Sequence, residues 1–63
     1  MRKFTPTELR RMLGLTQKEL ADILGVSRIT IARREEGSKK RWTVLEIEKL
    51  SQLSGIPVEN ITI

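Results

Sequence analysis

Apolar positions recur along this chain with the period of an α-helix, and the pattern stops and restarts several times. In the stretch that begins at Leu15, apolar side chains return every three to four residues as far as Gly25, and the pattern resumes at Val26. Apolar residues at this spacing fall on one face of a helix. The pattern therefore predicts helices over residues 6–13, 17–24, 28–36 and 44–54.

Start and stop signals support each of these helices. Thr16 can cap the first free amides of the second helix, Glu19 can complete a capping box, and Leu15 with Leu20 forms the matching hydrophobic staple. The same signals recur at the other helix starts, and a glycine follows each helix, where a left-handed residue is favoured. The expected caps are Thr5, Thr16, Ser27 and Thr43, and the expected stops are Gly14, Gly25, Gly37 and Gly55. Residues 57–60 resemble a fifth, single-turn helix, and residues 61–63 have strand-like composition.

Length leaves room for one small domain over residues 1–63, and the helix pattern predicts that this domain is all-α. With 63 residues, 38% hydrophobic and 32% charged, the chain is expected to be globular with a small core of marginal stability. The residues expected inside are Leu9, Leu13, Leu20, Ala21, Val26, Ile31, Ile47, Leu50 and Ile56. The chain has no cysteine, and no apolar run approaches the length of a membrane span. We therefore expect a cytoplasmic protein with no disulfide, no membrane association and no thiolate metal site.

The second and third predicted helices carry a recognisable motif. Thr-Gln-x-x-Leu-Ala begins at residue 16, and Gly-Val-Ser begins at residue 25. This core resembles the helix-turn-helix of lambdoid phage repressors and Cro proteins, and the resemblance extends over about residues 9–60. It implies a four- to five-helix, repressor-like DNA-binding domain of prokaryotic or phage origin. In this family the second helix of the motif enters the major groove of DNA.

The distribution of charge also favours a DNA-binding domain. The net charge is +4, and residues 28–41 carry six cations against two glutamates, whereas residues 42–63 carry one lysine against three glutamates. A basic region of this kind is typical of a protein that binds a polyanion. The alternatives are a solvated face on an ordinary basic protein, or a surface that binds an acidic partner protein.

Three residues of the third helix are candidates for reading bases. At about 100° per residue, Arg28, Ile29 and Arg33 share an arc with Ala32, while Ile31 faces the core. Arginine can bond guanine, and apolar groups can touch the thymine methyl. The alternative for the two arginines is simple solvation. Ile29 could instead pack against the second helix, and the sequence does not decide between the two.

A second set of residues is expected to contact phosphate or to support the motif. In the family that the chain resembles, the glutamine at position 17 bonds a backbone phosphate and braces the first base-reading side chain, and the loop after the third helix follows the sugar-phosphate backbone. Trp42 is expected to cap the core, although its indole N–H could also reach a phosphate. The predicted set is Gln17, Thr16, Ser27, Thr30, Lys40 and Arg41.

Charged positions near the end of the third helix show one match to the family and two departures. In such repressors an arginine of the first helix pairs with a glutamate at the end of the third, and Arg10 and Glu35 match these positions. The family usually has an apolar residue at position 34, so the Arg34 stem is expected to cover the core with its head toward phosphate. Glu36 would repel phosphate.

These features predict a sequence-specific regulator that binds double-stranded DNA, and not an enzyme. A repressor is expected first, but the sequence does not distinguish it from an activator, an antitoxin or a restriction-modification controller. The chain has no histidine, cysteine or tyrosine, and Glu8, Glu19 and Glu46 have capping roles, so no cofactor, metal or small-molecule ligand is expected. A single recognition helix reads few base pairs, which favours a weak homodimer, completed on DNA, on a palindromic operator. The apolar ending is its expected contact region, comprising Ile56, Val58, Ile61 and Ile63.

Overall fold

The fold is a small bundle of short helices with no strand longer than a single bridge in the part of the chain that the structure describes. A computed structural model describes residues 2–37 and 41–62. The helices are α1 (Pro6–Met12), α2 (Gln17–Leu24), α3 (Arg28–Glu35) and α4 (Val44–Ser54), followed by a 3-10 turn (Val58–Asn60). The predicted all-α class is confirmed, and only the ends of α1 and α3 differ, each by one residue.

The predicted caps set the helix starts. The Thr16 hydroxyl accepts a hydrogen bond from the Glu19 amide at 3.0 Å, and the Glu19 carboxylate accepts one from the Thr16 amide at 2.9 Å. The same reciprocal pair begins α1 at Thr5 and α4 at Thr43. These bonds satisfy amides that have no partner within the helix, which explains why helix starts could be predicted so closely from sequence.

Gly25 makes the turn between α2 and α3. Its φ of 74° and ψ of 29° are left-handed, and its amide donates back to the carbonyl oxygens of Ala21 and Asp22. Only a residue without a Cβ adopts this conformation without cost. The turn allows α3 to begin three residues later, after the Ser27 cap, and to pack on α2.

A single hydrophobic core joins all four helices. Its buried members are Leu9, Leu20, Ala21, Leu24, Ile31, Trp42, Ile47, Leu50 and Ile61, with Phe4, Leu15, Val26 and Ile56 packed against them. The prediction was wrong for Leu13, which ends α1 as a half-buried cap residue. It also omitted Leu24, which lies on the last turn of α2, and Ile61, which had been expected to remain uncovered.

The two ends of the described chain meet in a parallel β-bridge between Phe4 and Ile61. The Phe4 amide donates to the Asn60 carbonyl oxygen at 2.8 Å, and the Thr62 amide donates to the Phe4 carbonyl oxygen at 2.7 Å. Ile61 is only 5% exposed as a result. The expectation that Ile61 needs a partner subunit to cover it is therefore wrong, because the N-terminal segment covers it within the monomer.

Helix packing divides the bundle into two pairs. α2 packs on α3 as the two arms of the turn at Gly25, and α1 packs on α4. The 3-10 turn lies against α4. Among the described helices none is long and apolar enough to cross a membrane.

Candidate nucleic-acid interface

One side of α3 is turned to solvent and carries the residues expected to read bases. Arg28 and Arg33 are exposed, and Ile29 is 58% exposed, while Ile31 on the other side is fully buried. More than half of the Ile29 surface is therefore open to solvent. Ala32 is half-buried between these positions. The face thus presents two guanidinium groups and a branched apolar side chain around a small residue, and this combination can contact guanine and thymine in the major groove.

The junction before α3 is held by its own side chains. The Ser27 hydroxyl accepts a hydrogen bond from the Thr30 amide at 3.2 Å and lies 2.9 Å from the Thr30 hydroxyl. Ser27 is exposed and Thr30 half-buried, so both lie near the start of the exposed face. Their bonds fix the first turn of α3, on which Arg28 and Ile29 are carried.

Thr16 and Gln17, which are predicted to contact phosphate or to support the motif, lie at the N-terminus of α2. Thr16 is occupied as the helix cap, and Gln17 begins the helix. The Glu19 pKa lies below its ordinary value, first because the Thr16 amide donates to the carboxylate. The reciprocal bonds between Thr16 and Glu19 thus define the first turn of α2.

Glu35 is the centre of a network between three helices. Its carboxylate accepts hydrogen bonds from Arg10 at 2.7 and 3.1 Å and from the Gln17 side-chain amide at 3.0 Å. Burial raises the Glu35 pKa, but the bonds from Arg10 and Gln17, with the charges of Arg10 and Arg11, outweigh it and leave the pKa below its ordinary value. The carboxylate thus stays ionised. The hydrogen bond from Gln17 to Glu35 was not predicted from the sequence, and it fixes the orientation of the Gln17 side chain.

Arg34 does not send its head toward a phosphate, contrary to the expectation from sequence. Its guanidinium donates to both oxygens of Glu46 on α4, at 3.1 and 3.3 Å, and the two side chains are 12% and 7% exposed. A buried cation needs a compensating charge, and Glu46 supplies it. This pair was missed, although an arginine at a core-facing position is itself a signal that a carboxylate lies close by.

Arg41 is exposed just before α4, whereas Trp42 beside it is 9% exposed and belongs to the core. The core-capping interpretation of the tryptophan is therefore correct. Lys40 lies outside the described residues. Within the ranges 2–37 and 41–62, no group of histidine, cysteine, aspartate and glutamate side chains has the arrangement of a metal site.

Comparison with known proteins assigns the chain to a family. No curated protein and no solved structure gives a significant match to it. A family model described as helix-turn-helix matches residues 7–61, which is most of the chain and includes α2, α3, α4 and all of α1 except its first residue. The protein belongs to the Cro/C1-type helix-turn-helix family of DNA-binding transcription regulators.

Proposed function

We propose that this protein is a repressor that binds a palindromic operator with α3 in the major groove. The observation that carries the proposal is the division of α3 into a buried side and an exposed side. Ile31 is fully buried, and Arg28, Ile29 and Arg33 face solvent. The exposed side of α3 therefore offers two guanidinium groups and a branched apolar side chain, a combination that suits base edges in the major groove.

The base-reading roles follow from the position of each residue on α3. Arg28 is the first residue of the helix and Ile29 the second. First-turn residues of a recognition helix lie closest to the base edges in this motif. Arg28 is therefore assigned to a guanine and Ile29 to a thymine methyl, and Arg33 extends the contact one turn further along the groove.

Phosphate contacts are assigned to the elements on either side of α3. The first turn of α2, capped by Thr16, offers amides and the Gln17 side chain, and the Ser27 and Thr30 hydroxyls flank the start of α3. Arg41 is exposed in the segment between α3 and α4. Lys40 belongs to the same proposed set on sequence grounds.

The proposed dimer forms through the end of α4 and the 3-10 turn. Val58 and Leu53 are each 42% exposed on these two elements, which pack on each other, and Ile56 between them is half-buried. Ile61 is excluded from this surface because it is buried in the monomer, and Ile63 lies outside the described residues. The contact is small, so we expect the dimer to be weak in solution and completed on DNA.

Selection of bound duplexes from a random DNA pool tests the function. The proposal expects an inverted repeat whose half-sites are about one helical turn apart. Binding to the selected duplex and to a scrambled duplex of equal length is then measured between about 50 and 200 mM salt, where a phosphate-binding protein loses affinity steeply. Equal affinity for both duplexes, together with tight binding to acidic peptides, would establish the acidic-partner module instead.

Repression has a separate test in cells. The selected operator is placed over the promoter of a reporter gene, and the protein is expressed from a second plasmid. Reporter output is expected to fall, and the scrambled operator serves as the control. Increased output from the selected operator would identify an activator and contradict the repressor role.

A further inference from the structure

Two consecutive residues at the end of α3 form ion pairs with different helices. Glu35 pairs with Arg10 of α1, and Arg34 pairs with Glu46 of α4. α2 packs on α3, and α1 packs on α4. Each of the two ion pairs therefore joins α3 to one helix of the α1–α4 pair. The last turn of α3 is therefore attached on two sides, by a negative side chain on one and by a positive side chain on the other.

α3 has little apolar surface with which to fix its own orientation. Ile31 is its only fully buried residue, and it lies in the first half of the helix. Apolar contacts are non-directional, so packing through Ile31 and the half-buried Ala32 restricts the tilt of this eight-residue helix less closely than directional bonds do. The two-point hydrogen bonds of arginine with a carboxylate are directional and restrict both motions.

Glu46 joins two elements through one carboxylate. Its Oε1 accepts a hydrogen bond from the Thr43 amide at 2.8 Å as part of the α4 capping box, and also one from Arg34 Nε at 3.1 Å. The side chain is the buried charged group of the described core, with the residue 6% exposed. The start of α4 thus holds the end of α3 in register.

We propose that Arg34 and Glu46 are positioning residues for DNA recognition, which set the angle at which α3 presents Arg28 and Arg33. This inference rests on the proposed function. Replacing a buried ion pair by uncharged groups of similar size often leaves stability unchanged or raises it. The pair therefore acts chiefly on the geometry of the reading face, and its loss lowers the ratio of specific to non-specific DNA affinity.

The double variant Arg34→Met, Glu46→Gln tests this directly. Methionine retains the apolar stem of Arg34, and glutamine at position 46 retains the acceptor that the α4 capping box requires. The matched control is Glu48→Gln, Lys49→Met, which removes the same charges from exposed positions of α4. Each protein is assayed for thermal unfolding and for affinity to the selected and scrambled duplexes.

We expect the double variant to unfold at or above the parent temperature and yet to lose about ten-fold in the affinity ratio, while the control keeps the ratio. Arg34→Lys retains the charge but not the two-point geometry. It is expected to fold and to show an affinity ratio between those of the parent and the double variant. If the double variant does not fold, Arg34→Lys alone tests the positioning role. An unchanged ratio in a folded variant would overturn the positioning role alone. A parent ratio of one would overturn the proposed function and this inference with it.

Discussion

Arg10 of α1 and Glu35 of α3 form a two-point ion pair, with Nε 2.7 Å from one carboxylate oxygen and Nη2 3.1 Å from the other. Arg10 also donates through Nη1 to the Leu15 carbonyl oxygen at 2.8 Å. The side chains are 12% and 8% exposed. The arginine thus joins α1, the segment before α2 and the end of α3 through polar contacts.

Removing this arginine is expected to be costly. Arg10→Met leaves Glu35 largely buried without its counter-charge, and breaking such a pair costs about 3–5 kcal/mol. That is close to the whole stability of a small domain. Urea unfolding measures the effect, and Arg11→Met is the control, because Arg11 is exposed on the same helix. Equal losses in the two variants would show that the ion pair has no special structural role.

The stability of the protein is expected to depend on pH through Glu35. Its pKa is lower in the folded chain than its ordinary value, so the carboxylate contributes stability above the unfolded pKa of about 4.3 and loses it as the pH falls through the folded pKa. Denaturant unfolding between about pH 7 and pH 2 is expected to show constant stability at first and then a decline in acid.

Glu35→Gln separates this effect from the other carboxylates. Glu8 and Glu19 also have lowered pKa values, chiefly because the Thr5 and Thr16 amides donate to them. Glu35→Gln is expected to flatten the acid slope more than Glu19→Gln, which removes an exposed carboxylate. A parent-like slope in Glu35→Gln would assign the acid sensitivity to other groups.

The core is expected to be sensitive at Leu20. This side chain is fully buried in the cluster that joins the four helices, and Leu20→Ala is expected to cost about 2–5 kcal/mol. Ile23 lies on the same helix and is 41% exposed, so Ile23→Ala is expected to cost clearly less. Thermal unfolding of both variants checks the difference, and similar melting would contradict the observed core.

Features determined by neighbouring residues could be predicted from sequence, whereas features that join distant residues were predicted less well. The helix starts and stops follow from local bonds such as those of Thr16 and Gly25, and the sequence contains all their participants. The burial of Ile61 depends on Phe4 at the other end of the chain, and the Arg34 contact depends on Glu46 in another helix. Arg10 and Glu35 could be paired in advance only through the resemblance to phage repressors.

The turn at Gly25 has room for a larger side chain, but its left-handed backbone conformation is unfavourable for a residue with a Cβ. No heavy atom lies within 4 Å of the position that a Cβ would occupy, so substitution meets no clash, but the φ of 74° remains unfavourable. Gly25→Ala is expected to cost about 1–2 kcal/mol. Gly25→Asn is expected to cost less, because asparagine visits this region more readily. Urea unfolding compares them, and equal costs would show that the strain lies elsewhere.

Variants of two exposed arginines distinguish base contact from phosphate contact. Arg28 begins the exposed face of α3, and Arg41 is exposed before α4. Arg28→Ala is expected to lose about 1–3 kcal/mol on the selected duplex and to relax the preference at one base pair, a G·C pair. Arg41→Ala is expected to weaken binding to selected and scrambled duplexes alike, and to lower the salt dependence by about one ion per site.

The contrast between these two variants carries the test, because any lost cation weakens binding to DNA. Both remove one positive charge from an exposed position, so a purely electrostatic surface would respond to them in the same way. Repeating the pool selection with each variant shows which position of the site has lost its preference. If Arg28→Ala lowers affinity equally for every sequence, Arg28 is a phosphate contact, and base reading passes to Ile29 and Arg33 on the same face of α3.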